Sequence, residues 1–103
     1  MTRAKPSTIL LACLIALAPS LARADDQEVM DRLRTAVERG EALPLSMLQR
    51  SLGRAFPGEI IGVEVDEDDG RFVYEFKVLQ SSGRILEIEM DAADGAVLDV
   101  END

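Results

Sequence analysis

Carboxylates are the chemical groups this chain has in quantity. Its 103 residues hold 20 Asp+Glu against 11 Lys+Arg, with no His, no Trp and one Cys. Carboxylates in pairs act as general acid and base, and in clusters they hold divalent cations. Without His there is no imidazole base, no Ser-His or Cys-His nucleophile and no ordinary zinc site. A formal net charge of −9 also argues against nucleic acid or an anionic membrane surface as partner, because both need cationic protein surface.

The densest acidic stretch is Asp66-Glu67-Asp68-Asp69-Gly70. It fails the helix-flanked calcium loop: with Gly70 at the sixth position, Val65 falls at the first and Phe76 at the twelfth, where oxygen ligands are required. A charged hairpin tip fits better, and a weak, open divalent-cation site in an accessory or sensor protein is the alternative reading. A carboxylate pair working as in glycoside hydrolysis needs one member desolvated in a cleft. The aromatic residues that would line a cleft, Phe56, Phe72, Tyr74 and Phe76, fall at core positions. Ser46, Ser51, Ser81 and Ser82 have no base beside them in motif form. The sequence therefore names no catalytic residue, metal ligand or cofactor, and reads as a non-enzymatic domain.

The first 24 residues read as an export signal rather than part of the fold. Arg3 and Lys5 give a positive start, Ile9 to Ala18 form an apolar run of about ten residues, and Ala22-Arg23-Ala24 offers a small-x-small cleavage site. Such a run is too short for a bilayer span, which takes roughly 20 apolar residues. Cys13 makes a poor lipid-attachment site, because the hydrophobic stretch continues past it. Cleavage after Ala24 removes three basic residues and no acidic one, taking the net charge from −9 to −12, and removes the one Cys. The remaining 25–103 domain suits an oxidising compartment, the periplasm or alternatively the exterior, with no thiol to lose and no membrane association after cleavage.

Two helices and then four strands are legible in that domain. Val29, Met30, Leu33, Ala36 and Val37 recur at helical spacing between Gln27 and Arg39, and Gly40 stops the run. After Pro44-Leu45, Ser46 and Gln49 have capping-box spacing, with Leu48, Leu52, Ala55 and Phe56 as the buried stripe before Pro57-Gly58. Beyond Gly58 the period becomes two: Ile61, Val63 and Val65; Phe72, Tyr74, Phe76 and Val78; Leu86, Ile88 and Met90; Ala96, Leu98 and Val100. Asp69-Gly70, Ser81-Ser82-Gly83 and Ala93-Asp94-Gly95 are tight-turn sequences, so the strands form an antiparallel meander.

Parity fixes the register, since a slip of one residue would turn a strand's apolar side outward. It sets Val65 opposite Tyr74, Val63 opposite Phe76, Val78 opposite Leu86, Phe76 opposite Ile88 and Met90 opposite Leu98. The fold class is α+β: a two-layer sandwich in which two helices cover one face of a four-stranded antiparallel meander. On the reverse face Lys77 lies across from Glu87, and Glu75 is flanked by Glu64 and Glu89, a row of like charges that is locally unfavourable. The same register aligns Ile60, Leu79 and Ile85 into an apolar patch. These residues, Ile60, Leu79, Ile85, Glu64, Glu75, Glu87 and Glu89, are the candidate contacts for a protein partner. Oligomeric state is not legible in this pattern.

The residues Phe56-Pro57-Gly58, Val63-Glu64-Val65, Phe72-Val73-Tyr74-Glu75, Gly83-Arg84-Ile85-Leu86-Glu87-Ile88 and Met90-Asp91-Ala92-Ala93-Asp94-Gly95-Ala96-Val97-Leu98 closely resemble the PepSY domain. The resemblance runs from roughly Leu45 to Val100, and the closing Asp-Ala-x-x-Gly-x-Val hairpin is its most specific part. It implies a fold similar to the units of a secreted β-lactamase inhibitor protein. It further implies a role in restraining or regulating peptidases outside the cytoplasm, since similar domains occur in propeptides of thermolysin-type metallopeptidases; another envelope protein is the alternative partner. The family brings no catalytic residues to carry over. With no peptidase attached to this chain, the role implied is one in trans.

Overall fold

A computed structural model describes residues 18–103, with side chains from 26 onward. Most of the segment expected to be an export signal, including Cys13, lies outside the described residues. Helix α1 spans Ala18–Glu38, starting well before the expected Gln27. The reason is compositional: Leu21, Ala22 and Ala24 are strong helix formers, and Pro19 sits in the first turn, where its missing N–H costs nothing. The helix ends as Gly40 predicts. Gly40 takes φ +76°, its N–H donates to the Val37 carbonyl at 3.1 Å, and the Glu41 N–H donates to the Ala36 carbonyl at 2.8 Å. That pair of bonds satisfies the last carbonyls of the helix.

Helix α2 spans Leu45–Ala55, and here the capping box does not form. Pro44 occupies the N-cap with no side-chain cap bond, which leaves Ser46 one turn position inside the helix, too late to cap it. Leu48 and Leu52 are fully buried, as their spacing requires, while Ala55 is exposed and Phe56 only half-buried. On α1, Leu33 and Ala36 reach the core, whereas Met30, expected in the same stripe, is 47% exposed.

The sheet is β1 (Glu59–Asp68), β2 (Arg71–Leu79), β3 (Ile85–Asp91) and β4 (Val97–Asn102) in spatial order β1-β2-β3-β4, all antiparallel. Asp69 and Gly70 both have positive φ, 52° and 80°, the geometry that lets a two-residue turn match the strands' twist. The expected pairs Val65–Tyr74, Val63–Phe76, Val78–Leu86 and Phe76–Ile88 all form.

Two bulges correct the register at the strands' outer ends. In β1 the ladder steps from Ile60–Val78 to Gly62–Lys77, leaving Ile61 as the extra residue. In β4 it steps from Glu89–Asp99 to Met90–Val97, so Met90 faces Val97 and not Leu98. Neither bulge is marked in the apolar alternation, because each extra residue, Ile61 or Leu98, directly follows another apolar one, Ile60 or Val97.

Leu33, Ala36, Leu48 and Leu52 from the helices form one core with Phe72, Tyr74, Phe76, Val78, Leu86, Ile88 and Met90 from the strands. Since those strand residues share one parity, both helices cover one face of the sheet. Tyr74 and Phe76 stack with ring centroids 5.7 Å apart. Burying side chains such as Phe76, Ile88 and Leu48 stabilises the fold by roughly 1.5–3 kcal/mol each.

Candidate protein-contact face

The face without helices is built by the residues of opposite parity. Glu64 of β1 pairs with Glu75 of β2, Glu75 with Glu89 of β3, and Glu89 with Asp99 of β4. A carboxylate therefore stands on every strand in one unbroken row. Directly opposite side chains in antiparallel strands sit about 4.5–5.5 Å apart at Cβ, so the row places like charges next to one another. The neighbouring row runs Lys77, Glu87, Glu101. Lys77 also approaches Asp103, with Nζ 3.8 Å from Oδ2.

The electrostatics show the crowding. Hydrogen bonding with the Glu75 carboxyl, then with that of Asp103, lifts the Glu87 carboxyl above the ordinary range, and their charges add to it. The Glu101 carboxyl is raised by Asp99 in the same way, with further repulsion from Glu87 and Glu89. Asp91, at the end of the face, goes the other way. Its carboxylate accepts the Ala93 N–H at 2.9 Å and the Arg71 guanidinium at 2.8 Å, and both bonds hold its pKa down. Asp91 is thus tied into the β3–β4 turn, whereas Glu87 and Glu101 keep their protons longer than a free carboxyl would.

The expected row of Glu64, Glu75 and Glu89 is present, and so is the Lys77–Glu87 pair. The apolar patch is not. The bulge at Ile61 moves Ile60 onto the core face opposite Val78, where it packs against the buried cluster. Glu59 takes the place beside Leu79, so the outer face keeps only the adjacent half-buried pair Leu79 and Ile85. Sequence reasoning missed Asp99, Glu101 and Asp103 as members of the acidic face. The alternation in Val97–Asn102 carried that signal.

Among the described residues no group of three or more acidic or Cys side chains is gathered closely enough to hold a metal ion. The hairpin tip at Asp66-Glu67-Asp68-Asp69 is instead partly absorbed in tying layers together: Glu67 is bound by Arg32 of α1, with Nε 2.7 Å from Oε1. No helix among the described residues is long and apolar enough to cross a membrane.

A family model described as the peptidase propeptide and YPEB domain, PepSY, matches residues 45–101. The match takes in α2 and nearly all of the sheet, and leaves α1 outside it. No curated protein and no solved structure matches the chain.

Proposed function

The chain belongs to the PepSY family of propeptide-like and regulatory domains, and on that premise we propose that it is an exported binding domain that acts in trans on an extracytoplasmic peptidase or another envelope protein. Residues 1–24 serve as the export signal in this reading. The acidic outer face is the contact surface.

The observation that supports it is the row Glu64, Glu75, Glu89 and Asp99. Like charges directly opposite one another destabilise a sheet. Solubility does not require that arrangement, because carboxylates staggered with Lys or Thr would serve it equally well. A continuous anionic band is complementary to a cationic partner surface, and such complementarity raises association rates and selects partners.

Affinity capture from an envelope fraction, followed by titration of the captured partner with the protein, tests the reading. If the partner is a peptidase, its inhibition is followed in the same titration. Binding should weaken with rising salt and fall by about tenfold or more in the Glu75→Lys, Glu89→Lys double variant. Equal affinity of wild type and double variant contradicts the assignment of the face.

A further inference from the structure

Strand β4 is the open end of the sheet. It pairs with β3 on one side, and among the described residues nothing pairs with it on the other. All six of its residues are exposed, with Val97 at 44%, Leu98 at 46% and Val100 at 42%. The Asp103 N–H donates to the Ile85 carbonyl at 2.9 Å. By the two-residue alternation of an antiparallel ladder, the N–H and C=O of Val100 and Asn102 then point off the free edge.

Soluble proteins usually guard such an edge with Pro, Lys or an inward-facing charge. This strand has none of these. Its protections are the bulge at Leu98 and the carboxylates of Asp99 and Glu101, which repel a like-charged strand, and beyond the bulge Asp99 to Asn102 stay in regular register with β3. The opposite edge differs. There β1 carries the bulge at Ile61, and α1 is fastened beside it by the Arg32–Glu67 ion pair, with Val29 and Met30 bordering the same groove as Val63 and Val65.

Charge selects the occupant of the open edge. On the outer face the two acidic rows end at Asp99 and Glu101, and on the helix face the apolar rows end at Val97 and Val100. A fifth strand continues all of them when its apolar side chains fall beside Val97 and Val100 and its cationic ones beside Asp99 and Glu101. A second copy of β4 would set Asp99 and Glu101 among their own equivalents, repeating the repulsion already present within the sheet. We infer that β4 receives an extended partner segment in which apolar residues alternate with Lys or Arg, added to the sheet as a fifth strand. This deepens the contact reading above and rests on it.

The test uses amide NMR of the protein with a synthetic peptide of alternating Val and Lys, in three forms: unmodified, N-methylated at every odd residue, and N-methylated at every even residue. A strand added to an edge uses the N–H groups of one phase only. The expected result is that shifts and slowed amide exchange centre on Val100 and Asn102, and that one methylated form binds at least about tenfold more weakly while the other binds as the unmodified peptide does. A Val100→Pro variant, which removes one outward N–H and keeps the flanking bonds to β3, should lose the peptide; the methylated pair decides the matter if that variant misfolds. Equal binding of both methylated forms, with shifts at Glu75 and Glu89, overturns strand addition and leaves the contact reading standing. No binding of the unmodified peptide anywhere overturns the inference, while the contact reading stands or falls on the double variant and the captured partner. Protection of Val100 that grows with protein concentration and no peptide present makes a second copy the occupant, and overturns the inference.

Discussion

Glu75 of β2 lies directly across from Glu89 of β3 on the side of the sheet that carries no helix. Cross-strand pairs contribute about 0.2–1 kcal/mol when their charges are opposite and are destabilising when they are alike. Glu75→Lys should therefore stabilise the fold by about that much at neutral pH in low salt. The gain should shrink as salt approaches about 1 M, where screening acts over roughly 3 Å. Thermal melts across a salt series check both parts. The same variant should weaken partner binding, and that opposition between stability and binding separates a contact surface from a merely solubilising one.

The raised carboxyls give a pH dependence with a definite sign. Glu87 and Glu101 hold protons more tightly in the folded chain than in the unfolded one. Their contribution is fully present below the ordinary carboxyl range, about pH 4, and is lost as pH rises through their raised folded values. Asp91 acts in the opposite direction, contributing above that range and losing its contribution as pH falls through its lowered value. Glu87→Gln mimics the protonated form, so its stability relative to wild type should improve from acidic to neutral pH. Asp91→Asn should lose ground over the same interval. Urea unfolding at a series of pH values measures each trend.

Gly58 stands where α2 hands over to β1, against the end of β2. A Cβ there would meet the Leu79 carbonyl oxygen at 2.6 Å and Val78 Cγ1 at 2.8 Å. Because one obstacle is backbone, the clash cannot be relieved by a rotamer change. Gly58→Ala should cost about 1–3 kcal/mol, the range for overpacking, seen as a lowered denaturation midpoint with an unchanged slope.

Ser46 offers the converse case. A working N-cap loses about 0.5–2 kcal/mol when changed to Ala. Since α2 has Pro44 at its N-cap and no side-chain cap bond, Ser46→Ala should change stability by less than about 0.5 kcal/mol. A larger loss in chemical denaturation would show that the hydroxyl does cap the helix.

Much of this was legible because the side chains in β2 and β3 alternate strictly. Phe72, Tyr74, Phe76 and Val78 are buried, and Val73, Glu75, Lys77 and Leu79 face the other way, so one register satisfies both faces. The edges were less legible. Ile60 and Ile61 are chemically equivalent, as are Val97 and Leu98, and no pattern of apolar and polar letters says which of two such neighbours is the extra residue in a bulge. The apolar patch at Ile60, Leu79 and Ile85 failed for that reason, whereas the acidic row survived because its members lie inside the bulges. Helix α1 began early because Leu21 to Ala24 favour a helix right up to the expected cleavage site and no Gly or Pro follows to break it before Gly40.

Carboxyl footprinting of the protein, free and bound to its captured envelope partner, tests the central claim most directly. Modification with a carbodiimide and an amine, read by mass spectrometry, should show Glu64, Glu75, Glu89 and Asp99 protected in the complex, while the exposed Asp26, Asp31 and Glu38 of α1 react as in the free protein. Protection confined to the α1 carboxylates, with the row across the sheet still reactive, would contradict the account.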